Sequence, residues 1–223
     1  KGRKLLKEIE DLRSRDDVLV SGTDVFAAAV AGTVMPRNEY TKALETWVTR
    51  LKKRKTSLSK GKKRLMLVGS ISDEIDLFEM LESNTDAIVV AENLCFGLRF
   101  EGSEIPETGD PIEALATHYL ARSVCPRMYG KYKERLATLK EKITQAQVDG
   151  VVMQNIRFCD LHGAENSLFE RDLEAMGIPC LKVEREYGPL IDIGRMKLRI
   201  NAYLERIETL KESAAAGETL GAG

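Results

Sequence analysis

The sequence predicts an α/β fold: an open, parallel four-stranded sheet with helices on both faces, preceded by a helical leader. Three observations predict it. Four short apolar runs, at 64–69, 87–90, 150–153 and 178–183, have the length and composition of buried strands. Each is followed by a stretch whose apolar residues recur at helical spacing, the rhythm of right-handed βαβ crossovers. The first 60 residues carry helical patterns alone.

In the leader, Leu5, Leu6, Ile9 and Leu12 mark a first helix. No capping residue precedes Lys1, so a further N-terminal region is expected. A second helix is predicted over 23–31. A third, over 38–55, carries Tyr40, Leu44, Trp47, Val48 and Leu51 on one side. Its basic end, Lys52-Lys53-Arg54-Lys55, reads as a solvated helix C-terminus favoured by the helix dipole rather than as a nucleic-acid patch. Residues 57–63 form a short polar linker. Strand 64–69 then leads to a helix over 73–81 with Ile75, Leu77, Phe78 and Leu81 turned inward. Strand 87–90 is followed by a long loop to Asp110 and by helices over 111–121 and 126–147. Strand 150–153 leads to a helix over 165–176, closed by Gly177 as a C′ glycine. After strand 178–183, a last helix over 192–210 shows Met196, Ile200, Tyr203, Leu204 and Ile207 as its apolar stripe. The Ala- and Gly-rich end after Ser213 has little to bury. The expected organisation is a leader at 1–60, a remnant or connector to a missing N-terminal domain. A flavodoxin-like domain follows at 61–212, and a flexible tail at 213–223.

With 223 residues, 43% hydrophobic and 31% charged, the composition is that of a globular domain. The net charge of −1, from 34 basic and 35 acidic residues, gives no general attraction to nucleic acid or to anionic membranes. No apolar run approaches the ~20 residues that span a bilayer, and the first residues lack the apolar core of a signal peptide. A cytoplasmic location follows as the expectation. There the four cysteines are expected as thiols or metal ligands rather than disulfides.

Cys159, in Asn155-Ile156-Arg157-Phe158-Cys159-Asp160, follows the third strand, and Cys95 follows the second. Loops at the carboxyl ends of parallel strands are where ligands bind in such sheets. Two thiols there suggest one shared metal centre, and thiolates are the soft ligands of iron–sulfur clusters. Cys125, before Pro126 at a helix start, can reach the same edge. An isolated free cysteine is as readily a small core residue, and Cys180, inside a strand, reads that way. Ser70 and Arg99 are candidate substrate contacts. The alternatives are a plain turn after Gly69 for Ser70, and a carboxylate partner such as Glu92 for Arg99. Asp160 and His162 fit either a role at the site or the pairing of turn backbone groups. His118, mid-helix beside Tyr119, reads as structural.

The loops resemble those of the 2-hydroxyacyl-CoA dehydratase and benzoyl-CoA reductase subunit family. The resemblance is carried by Val68-Gly69-Ser70, Glu92-Asn93-Leu94-Cys95-Phe96-Gly97-Leu98-Arg99-Phe100 and Asp110-Pro111-Ile112-Glu113-Ala114-Leu115-Ala116. It continues through Asp149-Gly150-Val151-Val152, Arg157-Phe158-Cys159-Asp160, Gly177-Ile178-Pro179 and the segment from Gly194 to Glu205. Leu-Cys-x-Gly-x-Arg followed at long distance by Phe-Cys-Asp is specific in combination, and the leader is the least distinctive part.

The resemblance implies two flavodoxin-like domains per subunit, with cysteines from both holding one [4Fe–4S] cluster. On this chain it implies Cys95 and Cys159 as second-domain ligands, with Cys125 as a further candidate; the first-domain ligand has no counterpart here. It also implies a homologous sister subunit and an ATP-dependent iron–sulfur activator protein that delivers one electron. The substrate would be an acyl-CoA: a 2-hydroxyacyl-CoA losing water through ketyl radicals or, in the reductases, a benzoyl-CoA being dearomatised. A relative carrying a double-cubane cluster, or a scaffold subunit that binds no metal, are the other readings. No flavin or nicotinamide is expected.

Overall fold

Strands β1 (Lys63–Gly69), β2 (Ala87–Asn93), β3 (Gly150–Ile156) and β4 (Cys180–Arg185) form one sheet in the order β2-β1-β3-β4. All three strand pairs are parallel. The computed structural model describes residues 1–72, 75–83, 86–94, 104–121 and 130–220, the last six as backbone alone. Eight helices occur among them: α1 (Gly2–Ser14), α2 (Gly22–Val34), α3 (Arg37–Leu51), α4 (Asp76–Glu82), α5 (Pro111–Ala121), α6 (Tyr132–Gln145), α7 (Asp160–Glu174) and α8 (Ile193–Leu220). The expected flavodoxin-like α/β class is therefore the observed one.

Side chains alternate across a strand, and the two faces of the sheet make two cores. Leu65, Leu67, Val89, Val152 and Val183 pack with Phe26 of α2, Phe78 and Leu81 of α4, and Ile200, Tyr203 and Ile207 of α8. Met66, Val68, Ile88, Val90, Val151 and Met153 pack with Leu139 and Ile143 of α6 and Phe169 and Leu173 of α7. Both faces are covered, which is why the strands read as continuous apolar runs. The chain steps from β1 to β2 in one direction and then crosses back over β1 to β3. The strand order therefore reverses between β1 and β3, and a crevice at their carboxyl ends is the place this topology provides for a ligand.

Helices α1–α3 share a third core of Ile9, Leu12, Val25, Tyr40, Leu44 and Val48. They dock on the sheet at β2. Phe26 stacks on Phe78 with ring centroids 4.6 Å apart. The Glu82 carboxylate accepts from the N–H groups of Gly22 (2.8 Å), Thr23 (2.9 Å) and Val89 (3.0 Å), so a side chain from α4 satisfies the start of α2 and holds it to β2. A Cβ at Gly22 would lie 2.6 Å from Val89 Cβ, and this closeness is what a glycine permits. Buried Arg13 of α1 pairs with Glu10 at 2.5 Å and lies 3.5 Å from buried Glu92 of β2.

Several boundaries differ from those the sequence predicts, each for a local reason. Helix α3 ends at Leu51 rather than 55. Arg54 leaves the helix to donate to Leu19 O at 2.7 Å, and Lys52 pairs with Glu8 at 2.6 Å. The helix expected from 126 begins at Tyr132, because Gly130 and Lys131 are both left-handed (φ 83° and 53°); residues 126–129 lie outside the described ones, as do 73–74. Helix α7 begins five residues earlier than expected, at Asp160. Its buried polar residues find distant partners: Glu165 takes Arg135 of α6 in a two-point ion pair. Strand β4 runs two residues later than expected, and α8 continues to Leu220.

Candidate functional site

At the reversal of strand order, the Gly69 end of β1 lies close against Gln154 of β3. Gly69 has φ +119°, and a Cβ there would sit 2.0 Å from Gln154 O, so only glycine fits. Ser70 follows, 2% exposed. Its N–H donates to Gln154 O (3.2 Å), and its hydroxyl oxygen accepts from Ile156 N–H (3.2 Å). Gln154 Nε2 donates to Ser70 O at 2.6 Å, and Gln154 Oε1 accepts from Arg185 Nε at 3.1 Å. Arg185 also donates to the carbonyls of Ile71, Glu186 and Gly188, each at 3.4 Å. Ser70, Gln154 and Arg185 are all buried, and buried polar groups of this kind are stable only when paired in this way.

Strand β3 ends in a turn closed by Cys159 N–H donating to Ile156 O at 2.9 Å. Its third residue, Phe158, has φ +66°, a position that glycine or asparagine ordinarily fills. The Phe158 ring is 93% exposed. Arg157 lies between Glu184 (3.1 Å) and Glu186 (2.5 Å), joining the ends of β3 and β4. Cys159 is the residue before α7, half-buried, with a free thiol and no side-chain capping bond; Gly163 N–H donates to its carbonyl at 2.9 Å. An anionic ligand at this position would face the positive end of the helix. Asp160 is exposed in the first helical turn, and His162 is buried on the same helix.

Of the sequence-predicted site residues, Ser70 and Cys159 lie at the same carboxyl edge. Cys95, Arg99 and Cys125 lie outside the described residues. Strand β2 and buried Leu94, which directly precede Cys95 in sequence, end at this edge as well. Cys180 lies in β4 and is 7% exposed; burial first, then Glu174, pushes its thiol up to about 12. That is the environment of a core thiol. Among the described residues no group of three or more His, Cys, Asp or Glu could hold a metal ion. Cys159 offers a soft sulfur donor on a half-buried residue, and Cys180 is buried. A cluster here would draw on Cys159, and Cys95 and Cys125 are the chain's other cysteines.

Glu92 lies by Arg13, and its carbonyl accepts from Lys142 at 3.2 Å. His118 is buried on α5 and bonds Arg3 of α1 at 3.1 Å, the structural role expected of it. A cleft of about 1140 Å³ lies among α1, α3 and α5, and another of about 460 Å³ among α1, β2 and α6; neither is lined by Cys159. Sequence pattern did not single out Gln154, Arg185, Arg13 or Arg135. The available signal was polar residues directly continuing an apolar strand run, as Gln154-Asn155 do.

No helix among the described residues is long and apolar enough to cross a membrane. Residues 1–207 match the family described as 2-hydroxyglutaryl-CoA dehydratase, D-component. The match takes in helices α1–α3, the part least distinctive in sequence. The chain is 25% identical over 184 residues to the (R)-phenyllactyl-CoA dehydratase beta subunit of Clostridium sporogenes, covering 82% of this chain and 48% of that protein. It is 25% identical over 162 residues to a subunit of the benzoyl-CoA reductase of Thauera aromatica, covering 71% of this chain and 42% of that one. The chain thus spans less than half the length of these curated relatives.

Proposed function

The chain belongs to the 2-hydroxyglutaryl-CoA dehydratase D-component family, and on that premise we propose that it is the iron–sulfur subunit of a 2-hydroxyacyl-CoA dehydratase. Cys159 and Cys95 hold iron of a [4Fe–4S] cluster, with Cys125 as a further ligand. The observation that carries this reading is the Cys159 thiol. It is free and only half-buried, at the carboxyl edge beside the β1–β3 reversal, in a chain of the 2-hydroxyglutaryl-CoA dehydratase D-component family. Residues 61–212 serve as the cluster-binding domain and 1–60 as its helical connector, in a cytoplasmic, oxygen-free setting.

When bound, the cluster supplies the low-potential electron that makes loss of water from a 2-hydroxyacyl-CoA feasible; ordinary side chains cannot supply it. The chain's own contribution is to hold and orient. The Ile156–Cys159 turn fixes the thiol, α7 presents its N-terminus to an anionic ligand, and the buried pairs behind the edge keep the strands in register. A sister subunit and an ATP-dependent activator protein complete the system; the sister subunit is supported by both relatives being named as subunits. The Thauera relative supports a second reading, ATP-driven reduction of an aromatic acyl-CoA at the same site.

The test is anaerobic assay of the protein with its sister subunit and reduced activator. Formation of an enoyl-CoA from an (R)-2-hydroxyacyl-CoA is the expected outcome. Turnover of benzoyl-CoA instead would favour the second reading. A full-length protein, carrying the first-domain ligand as well, that takes up no iron on anaerobic reconstitution would sink both and leave a scaffold subunit. Iron well above the ~4 atoms of one cubane would point to the double-cubane relative.

A further inference from the structure

We propose that Ser70, Gln154 and Arg185 form a buried relay that positions the Cys159 turn. Ser70 then acts on the site through the backbone of Ile156. The inference rests on the reading of Cys159 as a ligand and names the residues that aim it.

The turn needs such a device. Phe158 is held in the left-handed region, which side chains with a Cβ disfavour, and its ring is 93% exposed, so no burial on this chain offsets the strain. A conformation of that kind persists only where its surroundings fix it. Upstream of Phe158 two bonds do so: Ile156 N–H donates to Ser70 Oγ at 3.2 Å, and Arg157 N–H donates to Arg185 O at 2.8 Å. Downstream, Gly163 N–H to Cys159 O begins α7.

Ser70 is in turn gripped by Gln154 through two bonds, and Gln154 is held by Arg185 Nε. Arg185 reaches the carbonyl of Ile71 after β1 and those of Glu186 and Gly188 after β4. One connected set of buried and part-buried donors and acceptors therefore ties the ends of β1, β3 and β4 to the residue that opens the turn. Core packing alone does not call for it. An apolar β-branched residue at 154 would suit a central strand at least as well. What the polar set adds is direction, because hydrogen bonds fix angles that apolar contacts leave free.

The test uses cluster-free protein, so its readout is independent of activity. The alkylation rate of each cysteine by iodoacetamide is followed by peptide mass spectrometry, with Cys180 as the internal reporter of core opening. Ser70→Ala is expected to raise the Cys159 rate by about threefold or more, the mark of a locally loosened turn, while Cys180 stays unchanged. Ser70→Thr, which keeps the acceptor oxygen, is expected to restore the parent rate. If Ser70→Ala does not fold, Arg185→Lys is read in the same way, since an ammonium cannot span the four acceptors that Arg185 reaches. Equal acceleration at Cys159 and Cys180, or no acceleration at either, would overturn the relay. Iron uptake by the parent protein is measured separately, so failure of the cluster reading shows in that arm and failure of the relay in the labelling.

Discussion

The two ends of the β3–β4 strand pair are built to opposite rules. At the amino end of β4, Cys180 lies in the core, beneath the Tyr203 hydroxyl that contacts the carbonyls of Val151 (3.1 Å) and Pro179 (2.8 Å). Glu174 binds Arg206 and the Cys180 N–H there. Apolar groups are buried, polar groups are paired, and the thiol is suppressed. At the carboxyl end, Phe158 and Tyr187 stand 93% and 72% exposed, two residues beyond the paired positions Ile156 and Arg185. One of them occupies a left-handed backbone position, and a half-buried free cysteine lies between strand and helix. The first end follows the requirements of stability. The second departs from them where a binding site is proposed, as local conflicts in folded proteins tend to do.

Substitutions in the core and at the two ends put this contrast at risk. The largest effect is expected from Phe169→Ala. Phe169 is 6% exposed and stacks on Tyr132 at 5.0 Å, so truncation should cost about 3–5 kcal/mol in urea unfolding. A smaller effect lies in the pH dependence. Cys180 is raised from its ordinary 9.0 to about 12 in the folded state. Its contribution is therefore fully present below about 9 and is lost as pH rises towards about 12, because the unfolded chain releases the proton first. Stability should fall between about pH 9 and 11 by an amount that Cys180→Ala reduces; an unchanged slope would place the thiol outside the core. The smallest effect, and of opposite sign, is expected at Phe158. Phe158→Gly relieves a left-handed position and loses no buried area, so the melting point should hold or rise, by at most about 1 kcal/mol in stability. A loss as large as that at Phe169 would show the carboxyl end to be packed like the core.

How far the sequence could be read follows the same division. The strand cores at 64–69, 87–90 and 150–153 were legible because both faces of each strand are buried in apolar surroundings. Their polar ends were not. Glu92 and Asn93 extend β2, and Gln154 and Asn155 extend β3. Glu92 lies by Arg13 of the distant first helix, and Gln154 has Ser70 and Arg185 as partners from other strands. Within α7, buried Glu165 likewise has its partner, Arg135, on another helix. Local pattern reveals apolar burial, but it cannot reveal which distant side chain will make a buried polar residue tolerable. Cys159 was legible as a strand-end thiol. The left-handed turn that presents it was not, because Phe158 has none of the glycine or asparagine signal such turns usually carry.

The most direct test of the proposed difference between the ends is anaerobic iron and sulfide analysis of Cys159→Ser beside Cys180→Ser, with thermal unfolding of each. Cys159→Ser is expected to lose bound iron while keeping the parent melting point, and Cys180→Ser to keep its iron while melting lower. Iron retained in Cys159→Ser, or lost only in Cys180→Ser, would contradict the roles proposed for the two thiols.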